Sequence, residues 1–405
     1  MRRPLEGIKV LDLSTMLAAS SCSRIFAEWG ADVIKVEAPA GDIFRGTLKT
    51  MGGPIYKEGG APIYDVDNAN KTFIALDLKN PKGMEILMRL LESADILVTN
   101  YREKALKKLG IDYESLKERF PRLIYSWTGG YGTKGPDKDK GAFDYTTFYA
   151  RTGIMTGLNE KGSPPINSVS GFGDHTAGLC QALATMTALY ARTVTGKGDR
   201  IETSLYQAGL YVTNNGPLMA AGGREWPRSR RTPNQITSTT YQCRDGIWFH
   251  LAATKYNDLW PIICKNVIFR PDLLEDPRFD TRDHMLEHTT EGVGILEEVF
   301  AQEDYEHWAK LLKENDIPFE KCFHFSEVLS DEQALANEYF TEYTYPGGQK
   351  IGLIRAPAKF DSCPELIELH HAKGVGEDTR AVLKELGYTD AQVDELNREG
   401  AIKAQ

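Results

Sequence analysis

The residues best suited to chemistry stand together in Gly171-Phe172-Gly173-Asp174-His175. A carboxylate there can attack a carbonyl carbon, and an adjacent imidazole can move a proton. A structural reading competes. The spacing of Leu179, Leu183, Met186 and Tyr190 predicts a helix over 176–192, and Asp just ahead of a helix is a favoured N-cap. His175 is read as a spacer, because consecutive helical residues diverge in direction. His284 and His288, four apart, could share a helix face. Their charged neighbours make them a solvated pair rather than a metal site.

Other chemistries lack their residues. Six scattered cysteines contain no CxxC pair, so neither a zinc site nor a disulfide framework is expected, and a reducing cytoplasm is the simpler setting. The turn Ser14-Thr15-Met16-Leu17-Ala18-Ala19 after the first strand has no glycine, which argues against a dinucleotide fingerprint. No phosphate-binding loop ending in Gly-Lys-Ser/Thr and no Gly-x-Ser-x-Gly elbow occurs. The formal charge of −9 disfavours non-specific nucleic-acid binding, so a polyanion would need a local basic pocket. Glu6, Lys9 and Asp12 interrupt the N-terminal apolar run, so no signal peptide is expected there. No apolar stretch reaches membrane-spanning length.

Positioning these residues requires a framework, and 405 residues suggest two domains. Strand-like segments at 8–13, 32–36, 73–78, 96–99 and 123–126 alternate with helix-like ones at 20–29, 81–91 and 104–109. Asn80-Pro81 supplies an N-cap and first turn, and Gly110 a helix stop. Such alternation predicts an α/β layer with a mostly parallel sheet. Residues 41–70 form a long Gly/Pro-rich connection, and 221–238 read as a linker. The expected layout is a large domain over 1–220, a smaller α+β domain over 225–325, and a return to the large domain over 330–405.

Four ordered stretches carry a resemblance: LEGIKVLDLSTMLAAS (5–20), GADVIKVEAPAGD (30–42), NANKTFIALDLK (68–79) and GFGDHTAG (171–178). Together they resemble the class III CoA-transferase family, which includes formyl-CoA and carnitine CoA-transferases. With GYGTKGPDKDKGAFDYT (130–146), the chain is most similar to members using 2-hydroxy acids in fermentative amino-acid reduction. The resemblance implies a Rossmann-like large domain built from both chain ends, a small domain, and an interlocked homodimer.

It also implies roles. Asp174 would attack an acyl-CoA carbonyl and pass through an enzyme-bound anhydride and an aspartyl-CoA thioester. Gly171 and Gly173 would leave room for the thioester, and free N–H groups of the following helix could stabilise the oxyanion. Coenzyme A enters as a thioester substrate, with no permanently bound cofactor and no metal. Its phosphates need cations. By family position the candidates are Lys71, Asn100, Tyr101, Lys108 and Lys140, with Lys104 and Lys107 competing with Lys108. The arginine that often follows the IKVE strand is replaced by Ala38-Pro39, and Arg45 is a candidate substitute. Met16, Leu17 and Ala18 occupy the loop where formyl-CoA transferases place a glutamine. Leu17 and Phe143 therefore suggest an apolar pocket for a branched or aromatic 2-hydroxy acid, although Leu17 could also simply pack. The stretch 232–240 is a candidate cover in place of the family's glycine-rich flap, or simply linker.

Two alternatives differ in their demands. An α-methylacyl-CoA racemase of the same superfamily needs a base where Phe143 stands, and phenylalanine cannot accept a proton. A non-catalytic CoA-binding protein would bind CoA without forming an adduct at Asp174.

Overall fold

The computed structural model describes residues 2–56 and 60–405, so residues 57–59 of the long 41–70 connection lie outside the described residues. Two compact units emerge. One comprises 1–155, 167–215 and 332–405, the other 156–166 and 216–331. The sequence reading placed its boundaries at 220/225 and 325/330 and did not assign 156–166 to the smaller unit, whereas these units change at 215/216 and 331/332.

The larger unit is a seven-stranded sheet. Its parallel strands are β1 (Lys9–Leu13), β2 (Asp32–Glu37), β3 (Thr72–Leu76), β4 (Ile96–Thr99), β5 (Ile124–Gly129) and β6 (Arg200–Ser204). They lie in the order β3-β2-β1-β4-β5-β6, and Ile402–Lys403 adds an antiparallel edge beside β3. In register, Val10 faces Val33 on one side and Ile96 on the other. The strand order reverses direction between β1 and β4. In open α/β sheets that is the switch point, where the carboxyl ends leave a crevice.

The helices of this unit up to β6 are α1 (Ala18–Glu28), α2 (Ile43–Thr47), α3 (Pro62–Asn68), α4 (Pro81–Leu91), α5 (Glu103–Leu109), α6 (Tyr113–Leu116), α7 (Ile154–Gly157, at its boundary) and α8 (Phe172–Thr195). Asn80 caps α4 by accepting from the Lys82 amide, with Pro81 in the first turn, and α5 ends on left-handed Gly110. Leu11, Leu13, Ile74, Leu76 and Leu97 pack on one sheet face with Ile86, Leu90 and Leu106. Val10, Val33, Ile96, Val98 and Ile124 pack on the other with Cys22, Phe26, Ala182 and Ala188 of α1 and α8. Burial on both faces explains why β3 and β4 read as nearly continuous apolar runs, whereas β1 and β2 carry the buried charges Asp12, Lys35 and Glu37.

Helix α8 departs from the sequence reading in two ways. It begins at Phe172, four residues before the expected start, so Asp174 lies inside its first turn and the N-cap is Gly171. Its buried side is Gly173, Ala177, Gly178, Gln181, Ala182, Thr185 and Ala188. Of the stripe read as its apolar face, Leu179, Leu183 and Tyr190 are 45%, 72% and 73% exposed, and Met186 alone packs against the core. Small and polar residues lock α8 to the sheet. Gln181 Nε2 donates to the Ser126 carbonyl at 3.1 Å, and the Ser126 and Thr185 hydroxyls meet at 2.7 Å.

The smaller unit has its own antiparallel sheet of Ser238–Gln242, Trp248–Ala252 and Phe319–Lys321. Tyr241, Phe249, Phe300 and Trp308 cluster at its centre, with Phe249 and Phe300 ring centroids 5.0 Å apart. The stretch 232–240 is no free flap, because Ile236, Thr237 and Thr239 are buried and residues 238–240 form a strand. His284 and His288 pair with Asp280 and Glu291 on the surface.

Candidate active site

The loop from β1 to α1 is built over a buried ionic network. Asp12 and Lys35 point from β1 and β2 beneath α1, and both side chains are fully buried. Lys71 Nζ reaches Asp12 Oδ2 at 2.8 Å and also donates to the Ser20 carbonyl (2.9 Å) and Asn68 Oδ1 (3.0 Å). Burial alone would raise the Asp12 carboxyl, but Lys35 and Lys71 outweigh it and hold it well below the usual carboxylate range. Burial in turn draws the Lys71 ammonium down to about 8 against the pull of Asp12. Lys35 Nζ also meets Asp42 at 3.2 Å. Asp42 Oδ1 accepts from the amides of Met16 (3.2 Å) and Phe44 (2.9 Å).

This network holds Met16 at φ +62°, a left-handed backbone that costs a non-glycine residue about 1–3 kcal/mol. From β4, Asn100 clasps the same loop twice: the Thr15 amide donates to its Oδ1 at 3.0 Å and its Nδ2 donates to the Thr15 carbonyl at 2.7 Å. The crevice at the switch point is bridged by a side chain where a dinucleotide fold would leave glycine backbone open to pyrophosphate.

Asp174 opens into a cleft of about 580 Å³ at the carboxyl ends of β1, β4 and β5. Thr15, Met16, Ala18, Asn100, Trp127 and Gly130 form part of the wall. Five cations line it, Arg102, Lys104, Lys107, Lys138 and Lys140, against Glu103, Asp139 and Asp174. On a chain of net charge −9 this is a local basic pocket of the kind a polyanion requires. Phe143 and Ile43 add apolar surface to the same cleft and are 64% and 65% exposed.

Three groups set the electrostatics of Asp174. Asp144, in the π-helical turn Asp144–Ala150, accepts from the Gly171 amide through Oδ2 at 2.7 Å, while its Oδ1 is buried without a hydrogen-bond partner among the described residues. Asp67, at the end of α3, is buried and meets His175 Nε2 through Oδ1 at 3.0 Å. Burial first, then the charges of Asp144 and Asp67, raise the Asp174 carboxyl to about 7, while His175 pulls it down. Burial opposes the His175 imidazolium, but Asp67 outweighs it and, with Asp174 and Asp144, lifts it to about 8.

The structure brings Met16, Ala18, Asn100, Lys140, Phe143 and Asp174 to one cleft. Other expectations need correction. Lys71 is enclosed, with its ammonium committed to Asp12, Ser20 and Asn68, and does not face the cleft. Lys108 is exposed on α5 but outside the wall, which takes Lys104 and Lys107 instead. Tyr101 is partly buried and packs against the sheet core. Leu17 lies in a buried cluster with Phe44, Tyr64 and Phe73, so it packs and does not line the pocket. Arg45 is held by Glu37, Nε to Oε1 at 2.8 Å, and lies over the Tyr64 ring.

The glycines do not clear space for substrate. A Cβ on Gly173 would stand 2.3 Å from Asp144 Oδ1 and from Phe148 Cγ, so its bareness admits the protein's own side chains. Gly171 takes φ +86° to start the helix. The amide of Gly171, the N-cap of α8, is committed to Asp144 Oδ2. Asp144 and Asp67 escaped the sequence reading. Arg102 and residues 128–130 could have been found from the rule that sites gather at carboxyl strand ends.

The chain matches the CoA-transferase family III over residues 5–379. It is 40% identical over 390 residues to (R)-2-hydroxy-4-methylpentanoate CoA-transferase of Clostridioides difficile, covering 96% of this chain and 97% of that protein. It is 38% identical to cinnamoyl-CoA:phenyllactate CoA-transferase of Clostridium sporogenes, covering 97% and 96%. A crystal structure of a CaiB/BaiF family protein from Brucella suis superposes with a TM-score of 0.82 at 28% identity, covering 95% of this chain and 100% of that one. A basic cleft at the switch point, an aspartate opening into it and near-full-length similarity converge on one conclusion: the chain belongs to CoA-transferase family III and is a CoA-transferase.

Proposed function

We propose that this enzyme moves CoA from an acyl-CoA, an enoyl-CoA or 2-hydroxyacyl-CoA, to a 2-hydroxy acid with a branched or aromatic side chain, through covalent intermediates on Asp174. The observation that carries the reading is Asp174 opening into a cleft lined by five cations and by the apolar side chains of Phe143 and Ile43. The two relatives named for 2-hydroxy-4-methylpentanoate and phenyllactate support an acid of that shape.

The Asp174 carboxylate attacks the thioester carbonyl, the C–S bond breaks, and CoA leaves as a thiolate from a mixed anhydride. The thiolate then attacks the aspartyl carbonyl, releasing the donor acid and leaving an aspartyl-CoA thioester. The acceptor carboxylate attacks that thioester and expels CoA thiolate. Attack of the thiolate on the acceptor's acyl carbonyl completes the transfer and restores Asp174. The cations at Arg102, Lys104, Lys107, Lys138 and Lys140 are available to CoA phosphates. Phe143 leaves no base for α-proton exchange, which disfavours racemisation.

The outward stripe of α8 fits a homodimer, since monomers rarely leave so much apolar surface in one run. The free cysteines fit a reducing cytoplasm. Among the described residues no helix is long and apolar enough to cross a membrane.

The test is chemical trapping. Incubation with acyl-CoA followed by hydroxylamine should place a hydroxamate on the peptide carrying 171–178, and borohydride should place an alcohol there. Asp174→Asn should fold, bind CoA and transfer nothing. Sustained transfer by Asp174→Asn, with deamidation excluded by mass, would overturn the assignment.

A further inference from the structure

Asp174 sits among like charges. Asp144 acts on it from the turn 144–150, where it accepts from the Gly171 amide, and Asp67 acts on it from α3. A third carboxylate beside two others resists ionisation, yet only the ionised form is a nucleophile. The charges that act on Asp174 come from Asp144, Asp67 and the neighbouring His175, and His175 is the positive one among them.

His175 is not left as a spacer. Its Nε2 lies 3.0 Å from Asp67 Oδ1, and Asp67 is buried with its Oδ2 unpartnered among the described residues. Lys71 also feels the Asp67 charge but commits its ammonium to Asp12, so the imidazole at hydrogen-bond distance is the cation that Asp67 favours in its doubly protonated form.

We infer that the Asp67–His175 pair is a charge-compensating device, in which Asp67 keeps His175 cationic and His175 keeps Asp174 ionised for attack near neutral pH. His175 acts through Asp174 and is a positioning residue. It gives up no proton during transfer, and none is needed, since each step exchanges a carboxylate for a thiolate. The inference rests on Asp174 being the nucleophile.

The arrangement makes His175 matter at and below neutral pH and little above it. With the Asp174 carboxyl at about 7 in the intact site, removing its neighbouring cation moves ionisation upward. An upward move of one pH unit leaves roughly a tenth of Asp174 ionised at pH 7 in place of half, about a five-fold loss that disappears by pH 9. Side-chain geometry alone would give a loss of the same size at every pH.

The experiment measures the single-turnover rate of aspartyl-CoA formation on the 171–178 peptide, by mass, from pH 5.5 to 9.5. Wild type, His175→Gln and His175→Asn are compared, so that a folding failure in one variant leaves the other. Histidine-labelled NMR follows the His175 ring in wild type and Asp67→Asn. The expected result is an acid limb displaced upward by about one pH unit in the His175 variants, a wild-type plateau above pH 9, and an earlier loss of the ring proton in Asp67→Asn. An undisplaced limb, a loss independent of pH, or a His175 ring indifferent to Asp67 overturns the inference. Those results still leave the adduct on Asp174 and the nucleophile assignment standing. Absence of any adduct on Asp174 in wild type overturns both.

Discussion

Replacing Lys71 by methionine separates two roles that a lysine at this point of the chain could have. Methionine keeps the apolar stem and removes the ammonium. Lys71 Nζ spends its three protons on Asp12 Oδ2, the Ser20 carbonyl and Asn68 Oδ1, at 2.8, 2.9 and 3.0 Å. Breaking a buried pair by deleting one partner costs about 3–5 kcal/mol, because the other charge stays buried. Here Asp12 keeps Lys35 at 3.8 Å and hydrogen bonds from Ser23 and Ser14, which places the loss near the lower end, ~3 kcal/mol. Urea denaturation should show that loss, with the KM for acyl-CoA nearly unchanged in the folded fraction. A phosphate ligand would behave oppositely. It would leave stability intact and raise KM by roughly 10- to 100-fold, the equivalent of one charge-assisted hydrogen bond. Unchanged stability with a raised KM in Lys71→Met would refute the assignment of Lys71 to the interior.

Among the cleft lysines, Lys104→Ala and Lys107→Ala should each raise the KM for acyl-CoA several-fold, more at low salt, whereas Lys108→Ala should leave it unchanged; initial rates at two ionic strengths check this. The Asp174 carboxyl holds its proton in the folded protein to about pH 7, against 3.8 for the free group, so the wild type loses stability as pH rises between these values. Asp174→Asn should therefore be more stable than wild type at pH 8, by up to ~4 kcal/mol at about 1.4 kcal/mol per pH unit, and equal to it at pH 4; paired melting curves test this. Leu183→Glu combined with Tyr190→Glu should lower the melting temperature if a partner subunit covers the outward side of α8 and leave it unchanged if that side faces water; paired melting curves distinguish the two.

Local chemistry made much of this protein legible. Apolar runs separated by amphipathic segments specified the parallel sheet, because strands covered on both faces need no polar side. Asn80-Pro81 and Gly110 marked helix ends, because capping and left-handed stops depend on one or two residues. The ordered motifs drew attention to Asp174, which the fold places in the cleft.

Tertiary structure alone decided how those pieces face. Periodicity in α8 reported a stripe of large apolar residues but not which side would meet the sheet, and close packing on α1 and β5 selected the small side, leaving Leu183 and Tyr190 outward. Residue type alone cannot say whether a lysine is solvated, bound to ligand or paired inside. Lys71 found its partner 59 residues away on β1, and Lys107 faced the cleft where Lys108 did not. The Asp67–His175 pair joins residues 108 apart, and Asp144 takes the amide of Gly171, 27 residues further along the chain. No local pattern encodes such contacts, because they exist only once the chain has closed the distance, and in a low-dielectric interior those same distances fix which charges compensate which.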